Sequence, residues 1–359
     1  MSFLWEDNVR KVVPYTPGEQ PKEKGIIKLN TNENPYPPAP GVRDVLENFD
    51  ADSLRLYPDP SISDLRKAIG EAYGRREDEV FVGVGSDDVL SMAFLTFFNS
   101  ELPVIFPDVT YSFYDVWANV YGIKFECIPL RDDFSIRPSD YFRENGGVVI
   151  ANPNAPTGML LPLSDIEEII SHNRSSVVIV DEAYVDFGGE SAVSLIDKYD
   201  NLLVVGTFSK SRSLAGSRIG FAFGNKELIS FLNDVKYSVN SYTLDRLSIM
   251  VGIASIEDGD YFKECTDKIC KTREKTVYEL KRLGFSVLPS ATNFVFARHG
   301  FTPAKFIFEH LKEKGIYVRH FSGPRIYNYL RITIGTDEEM DRLIEELTEY
   351  LERERAWNL

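Results

Sequence analysis

Five short, almost wholly apolar runs restrict this chain to few architectures: VFVGVG, LPVIFP, GVVIANP, SSVVIVDEAY and LLVVGTFSK. Each lacks the polar alternation of a half-exposed strand, so both of its faces must be covered. That is the condition of a strand inside a mostly parallel sheet. The stretches between them, such as DDVLSMAFLTFF and LSDIEEIISHN, carry apolar residues at helical spacing and can cross back over such a sheet. In α/β sheets ligands sit beyond the carboxyl ends of the strands. The polar residues that follow each run are therefore where chemistry is expected.

With 359 residues the chain is longer than one core usually organises, and two domains are expected. The first 60 residues are rich in proline and asparagine (KLNTNENPYPPAPG, RLYPDPS) and predict an extended arm punctuated by turns. From Ser63, DLRKAIGEAYG predicts an amphipathic helix. After about Phe223 the texture changes to a long helical region over Lys226 to Leu283. Short strand-like pieces follow in FSVLPSATNFVFAR, IYVRHF and YLRITIG. The expected division is an amino-terminal arm over 1–45 that packs with the small domain, a large α/β domain over 46–245, and a small α+β domain over 246–359.

The formal net charge of −15 and a pI of about 4.9 set the surface against phosphate backbones and anionic lipid. Neither nucleic acid nor a membrane is an expected partner. A small anionic substrate then needs a local basic pocket, which makes individual arginines informative. Three cysteines, Cys127, Cys265 and Cys270, form no disulfide framework or metal-type spacing, and no metal is expected. The first residues, MSFLWEDNVRKVVPY, have neither the apolar run of a leader nor the length of a membrane span, so the cytoplasm is the expected compartment.

At the run ends, TFSK places Lys210 among apolar and hydroxyl residues. An ammonium there is costly unless it is neutralised, and condensation with an aldehyde cofactor is one solution; a solvent-facing lysine is the plainer one. VIVDEAY ends on Asp181 and Tyr184. A carboxylate at that position suits a protonated pyridine nitrogen, which it would hold protonated, and it also suits a helix cap. SRSLAGSRIG brings Arg218 eight residues after the lysine, and with Ser209 and Thr207 it offers donors for a phosphate monoester. GVGSDD turns from strand to helix, and the free amides of Ser86 and Asp87 form an anion cradle. Tyr111 in FPDVTYSFY can stack on a ring or fill a core.

Taken in order, NPNAPTG (Asn152 to Gly158), DEAY, TFSK and AGSRIG resemble the class I/II, fold-type I aminotransferases that use pyridoxal 5′-phosphate (PLP). The resemblance implies that fold, with a large, mostly parallel sheet flanked by helices and a smaller α+β domain. It implies Lys210 as the Schiff-base lysine and proton carrier, Asp181 on the pyridinium, Tyr184 on the ring 3-oxygen and Tyr111 stacked on the ring. It also implies Ser86, Asp87, Ser209 and Arg218 on the phosphate, and Arg331 of YLRITIG as the carboxylate-binding arginine. The asparagine usual before PTG is replaced by Ala155, leaving Asn154 or Tyr184 alone to serve the 3-oxygen.

Three further segments, NVRKVVPYTPGEQ, KLNTNENPYPPAP and RLYPDP, resemble the histidinol-phosphate aminotransferases within that family. The resemblance implies Tyr15 at the substrate mouth and Tyr57 on the cofactor phosphate of the other subunit of a homodimer. Arg319 of IYVRHF and Arg331 would bind the substrate phosphate, and the carboxylates of glutamate in the second half-reaction. The implied reaction is ping-pong exchange between histidinol phosphate and 2-oxoglutarate, a step of histidine biosynthesis. A threonine-phosphate decarboxylase and an aromatic aminotransferase share the cofactor motifs. A non-catalytic PLP-binding regulator would carry an added DNA-binding domain, which an acidic chain whose arm begins at residue 1 is not expected to have.

Overall fold

The structure is a computed structural model that describes residues 5–23 and 25–357. Residues 1–4, part of the segment read above for a leader, lie outside the described residues. The strands in chain order are β1 (Ile27–Lys28), β2 (Val80–Val84), β3 (Val104–Pro107), β4 (Phe125–Ile128), β5 (Gly147–Ala151), β6 (Val178–Asp181) and β7 (Leu202–Thr207). They continue with β8 (Ile219–Phe223), β9 (Phe285–Val287), β10 (Phe294–His299), β11 (Ile316–Tyr317), β12 (Arg319–His320) and β13 (Leu330–Thr333). The helices that matter below are α1 (Pro40–Glu47), α2 (Ser63–Tyr73), α3 (Gly85–Phe97), α4 (Tyr114–Tyr121), α5 (Leu163–His172), α6 (Lys226–Val239), α7 (Arg246–Glu257), α8 (Gly259–Arg282), α9 (Ala304–Glu313) and α10 (Asp337–Trp357).

Each of the five apolar runs contains a strand of one seven-stranded sheet, ordered β2-β8-β7-β6-β5-β3-β4. Strand β8 alone runs against the others. Successive residues of a strand face opposite ways, and the core follows that period. Val148, Ile150, Leu202 and Val204 face one layer, built with α2, α5 and α7. Val149, Ala151, Leu203 and Val205 face the other, built with α3, α4 and α6. With both faces covered, only the strand ends are open to a ligand.

A second sheet, β12-β13-β10-β9, is antiparallel and packs with α8, α9 and α10 around Leu29, Ile269, Leu311, Ile332 and Leu343. Strand β1 of the arm pairs in parallel with β11, which ties the start of the chain to this second core. The first core reaches from Ala39 and Val42 in or beside α1 to Val251 and Ile256 in α7, so its packing extends past both ends of 46–245.

The long helical region over 226–283 is three helices. Asp245 accepts the Ser248 amide at 2.8 Å, and Asp258 accepts the Tyr261 amide at 3.0 Å, so each caps a new start. An acidic residue before an apolar run is a helix-start signal that periodicity alone passes over. Among the described residues no helix is long and apolar enough to cross a membrane, and no group of His, Cys, Asp and Glu is placed to hold a metal ion.

Candidate active site

A cleft of about 470 Å³ opens at the carboxyl ends of β5, β6 and β7 and is closed on its far side by the arm and the second sheet. Its size falls within the roughly 300–1,000 Å³ of small-molecule sites. Lys210, three residues beyond β7, lies in it; its Nζ donates to the Thr31 carbonyl at 3.1 Å and stands 5.7 Å from the Tyr184 ring centre. No carboxylate pairs with it among the described residues.

Asp181 is the last residue of β6, and the strand carries its side chain to the cleft floor. Burial pushes its carboxyl up to about 6, against the hydrogen bonds from the Tyr114 hydroxyl and the Ala183 amide, while Asp87 nearby adds to the rise. The next carboxylate, Glu182, leaves the cleft to accept from Ser191 Oγ at 2.5 Å and the Ala192 amide at 2.7 Å. Burial pushes it up to about 8. One carboxylate of the DEAY motif thus serves the cleft, and its neighbour ties the following turn.

Helix α3 begins directly at Gly85, so the first-turn amides of Ser86 and Asp87, which have no intrahelical acceptors, face the cleft from its edge. Two glycines make this approach possible. A Cβ on Gly220 would lie 2.3 Å from the Ser86 nitrogen, and one on Gly85, at φ +81°, would lie 2.5 Å from the Arg218 guanidinium. Arg218 itself sits at φ +52°, a strained conformation for a side-chain-bearing residue. Its guanidinium lies 3.5 Å from Ser209 Oγ and 3.5 Å from the Asp87 carboxylate. Thr207 Oγ1 in turn contacts Ser209 Oγ at 3.0 Å. Two amides, a hydroxyl and a guanidinium therefore converge on one corner, a donor set suited to a phosphate monoester. The Tyr111 hydroxyl donates to Asp87 at 2.7 Å, fixing its ring along the cleft wall.

The second sheet supplies the opposite wall. Arg319 on β12 and Arg331 on β13 are directly paired across the strands, and both line the cleft. Like charges placed opposite each other destabilise a sheet. Arg331 donates to the Asn30 carbonyl at 3.1 Å, and Arg319 donates over 3.3 and 3.5 Å to the carbonyls of Thr16 and Pro17. Neither has a carboxylate partner among the described residues, and the Arg331 Nε is shut off from solvent with no acceptor at all. Desolvation lowers the proton affinity of Arg331, and the neighbouring Arg319 lowers it further. Such a pair calls for an anion. Tyr15 completes the mouth, stacked on Phe113 at 4.1 Å.

Two expected site residues lie elsewhere. Asn154 is buried, and its amide donates to the Val109 carbonyl at 2.9 Å and Thr157 Oγ1 at 3.0 Å while accepting from Thr110 at 2.8 Å. With its polar atoms spent on the loop that shapes the wall, it does not line the cleft and does not replace the asparagine absent at Ala155. Tyr57 stands outside the cleft of its own chain, 78% exposed and stacked on Tyr242 at 4.6 Å.

Other residues had no role in the sequence reading. Asn32 donates to the Tyr184 hydroxyl at 2.9 Å, and Asn34 donates to the carbonyls of Lys210 and Ser211 at 3.2 and 3.1 Å. Both belong to KLNTNENP, where asparagines recur at every second position from Asn30, a spacing that signals one-sided duty. Tyr114, three residues before Trp117 on the same helix in the aromatic YSFYDVW, donates to Asp181 at 2.7 Å. Its surroundings spell core packing, and nothing in the sequence pairs it with position 181.

The fold and the cleft define an aminotransferase. The chain belongs to the aminotransferase class I and II family, whose sequence profile matches residues 24–347. Within that family it is 54% identical to histidinol-phosphate aminotransferase 1 of Hydrogenovibrio crunogenus, over 99% of this chain and 100% of that one. It is 53% identical to the histidinol-phosphate aminotransferase of Clostridium botulinum (strain 657), over 98% and 100%. The crystal structure of histidinol-phosphate aminotransferase from Sinorhizobium meliloti in complex with pyridoxal-5′-phosphate superposes with a TM-score of 0.83 at 25% identity, covering 91% of each chain.

Proposed function

We propose that the chain transfers the amino group of histidinol phosphate to 2-oxoglutarate, yielding imidazole acetol phosphate and glutamate, with PLP in the cleft. The observation that carries the substrate is the cross-strand pair Arg319 and Arg331, two guanidiniums without protein carboxylates facing Lys210. The high identity to proteins of that name supports it. Both arms of the exchange present anions: a phosphate in one donor, and two carboxylates in glutamate.

The donor set fits the cofactor. Ser86, Asp87 (through its amide), Ser209 and Arg218 would take its phosphate, Asp181 its ring nitrogen, Tyr184 its 3-oxygen and Tyr111 a ring face. When bound, PLP supplies an aldehyde that condenses with amines and a ring that accepts the electron pair left on the adjacent carbon. The Lys210 Nζ would act as the base at the substrate Cα, taking up the proton of that carbon and holding it for return. The Thr31 carbonyl gives that amine a resting acceptor. Asn32 keeps the Tyr184 hydroxyl aimed at the cleft. Arg319 and Arg331 hold the substrate anion so that its Cα–H bond meets Lys210, and the arm over Tyr15 excludes water.

The site is shared between two copies of the chain. Tyr57 heads an exposed apolar cluster with Leu54, Leu56 and Tyr242, and the Tyr237 hydroxyl lies 3.3 Å from the nearby Pro60 carbonyl. A cluster of this kind suits a two-fold partner, whose cofactor phosphate Tyr57 would reach. The test is turnover of histidinol phosphate, phenylalanine and threonine phosphate side by side, with sizing in solution. Histidinol phosphate should lead by orders of magnitude in kcat/KM, and carbon dioxide release from threonine phosphate would overturn the assignment.

A further inference from the structure

The Tyr114 hydroxyl meets Asp181 from behind the cleft floor. Tyr114 opens α4 and has no exposed surface. Its ring is fixed edge-on against Phe106 at 5.7 Å and Tyr111 at 5.7 Å, and face-on toward Phe94 at 6.2 Å. Its hydroxyl donates to Asp181 Oδ2 at 2.7 Å, while Asp181 Oδ1 accepts the Ala183 amide at 3.2 Å. Burial and the adjacent carboxylate raise the phenol well above its ordinary range, so it stays a donor at every working pH. Both carboxylate oxygens are pinned, and the carboxylate can still accept from the cleft side.

We propose that Tyr114 is a positioning residue for the cofactor ring, orienting the Asp181 carboxylate and holding it in its anionic form. This rests on the reading of the cleft as a PLP site. The balance at Asp181 is set from several elements: Tyr114 and the Ala183 amide favour the anion, Asp87 on α3 opposes it, and Tyr111, Tyr184, Lys210 and Arg218 share the cleft. Tyr114 is the larger of the two favourable influences. Without its hydroxyl, burial prevails, and the carboxyl takes up a proton nearer neutrality. A protonated Asp181 cannot pair with a protonated ring nitrogen without first losing a proton, so cofactor affinity falls at low pH and is untouched at high pH.

The experiment is the PLP dissociation constant of the apoenzyme, followed by absorbance between pH 5.5 and 9, for the wild type and Tyr114→Phe. The wild-type acid limb is expected near pH 6. Loss of a hydrogen bond to a charged group should move the limb up by about one to two pH units. PLP should then bind about two- to tenfold more weakly at pH 7 and equally well at pH 9. In the Asp181→Asn background, Tyr114→Phe should change nothing at any pH. Superimposable profiles, a loss uniform over the whole range, or a pH-dependent loss that survives in the Asp181→Asn background would each overturn the role of Tyr114. A wild-type apoenzyme that takes up no PLP would overturn the cofactor reading instead, and this inference with it.

Discussion

Arg319→Ala removes one of two guanidiniums that face each other across β12 and β13 with no protein anion between them. Truncating one partner of a buried charge pair costs about 2–5 kcal/mol, and Arg319 is half-exposed at the mouth, so the lower part applies, about 2–3 kcal/mol. The loss in kcat/KM for histidinol phosphate is then about 30- to 150-fold. Arg319 also donates to the Thr16 and Pro17 carbonyls, over long and weak bonds, so a small loss common to every donor is expected as the arm loosens. The assay therefore compares donors on one variant: histidinol phosphate, histidinol, phenylalanine and glutamate, with a fixed 2-oxoacid acceptor and pyruvate as acceptor for glutamate. Histidinol and phenylalanine should show only the common loss, and glutamate an intermediate one through its side-chain carboxylate. An equal loss across all four would refute phosphate recognition by Arg319 and leave only its tie to the arm.

Lys210→Ala should remove the visible absorption that PLP acquires on binding and lower turnover by several orders of magnitude, measured spectroscopically and by single turnover. Asp181→Asn should separate stability from function. The folded-state carboxyl is raised from 3.8 to about 6, so folding is penalised as pH rises through that window. Above pH 7 the variant apoprotein should be more stable by up to about 3 kcal/mol, with no gain at pH 4, while turnover falls at least tenfold. Thermal melts at both pH values check the sign. Tyr57→Phe should weaken PLP retention by at most about 1.5–3 kcal/mol, and only in the dimer, which dilution followed by sizing can test.

The strand ends were legible because buried strands are apolar throughout, so each following polar residue stands out. Lys210, Asp181 and the amides of Ser86 and Asp87 reach one cleft for that reason, and Arg218 joins them because it precedes β8, the one strand that runs against the others. What escaped is contact between distant parts of the chain. Tyr114 looks like core because its ring is core, and only its hydroxyl turns to Asp181, 67 positions away. Asn154 sits in the right loop, but its side chain is consumed by Val109, Thr110 and Thr157, a competition no local pattern displays. The capped starts at Asp245 and Asp258 were visible in principle, yet helical periodicity runs through both and hides them.

The arm that roofs the cleft also sets an order of events during synthesis. Asn32 is bonded through its amide and side chain to Thr333, 301 positions further on. At about 5–20 residues per second, that partner leaves the ribosome roughly 15–60 s after the arm does. The seven-stranded sheet is complete by Phe223, so its two layers can close while β13 is still unmade. Through that interval Lys210 is already mounted on the sheet, but the Thr31 carbonyl and the two arginines are not yet gathered around it. The nascent chain thus carries a bare amine at the end of a finished sheet, and strands made long after that sheet are the ones that turn it into a site.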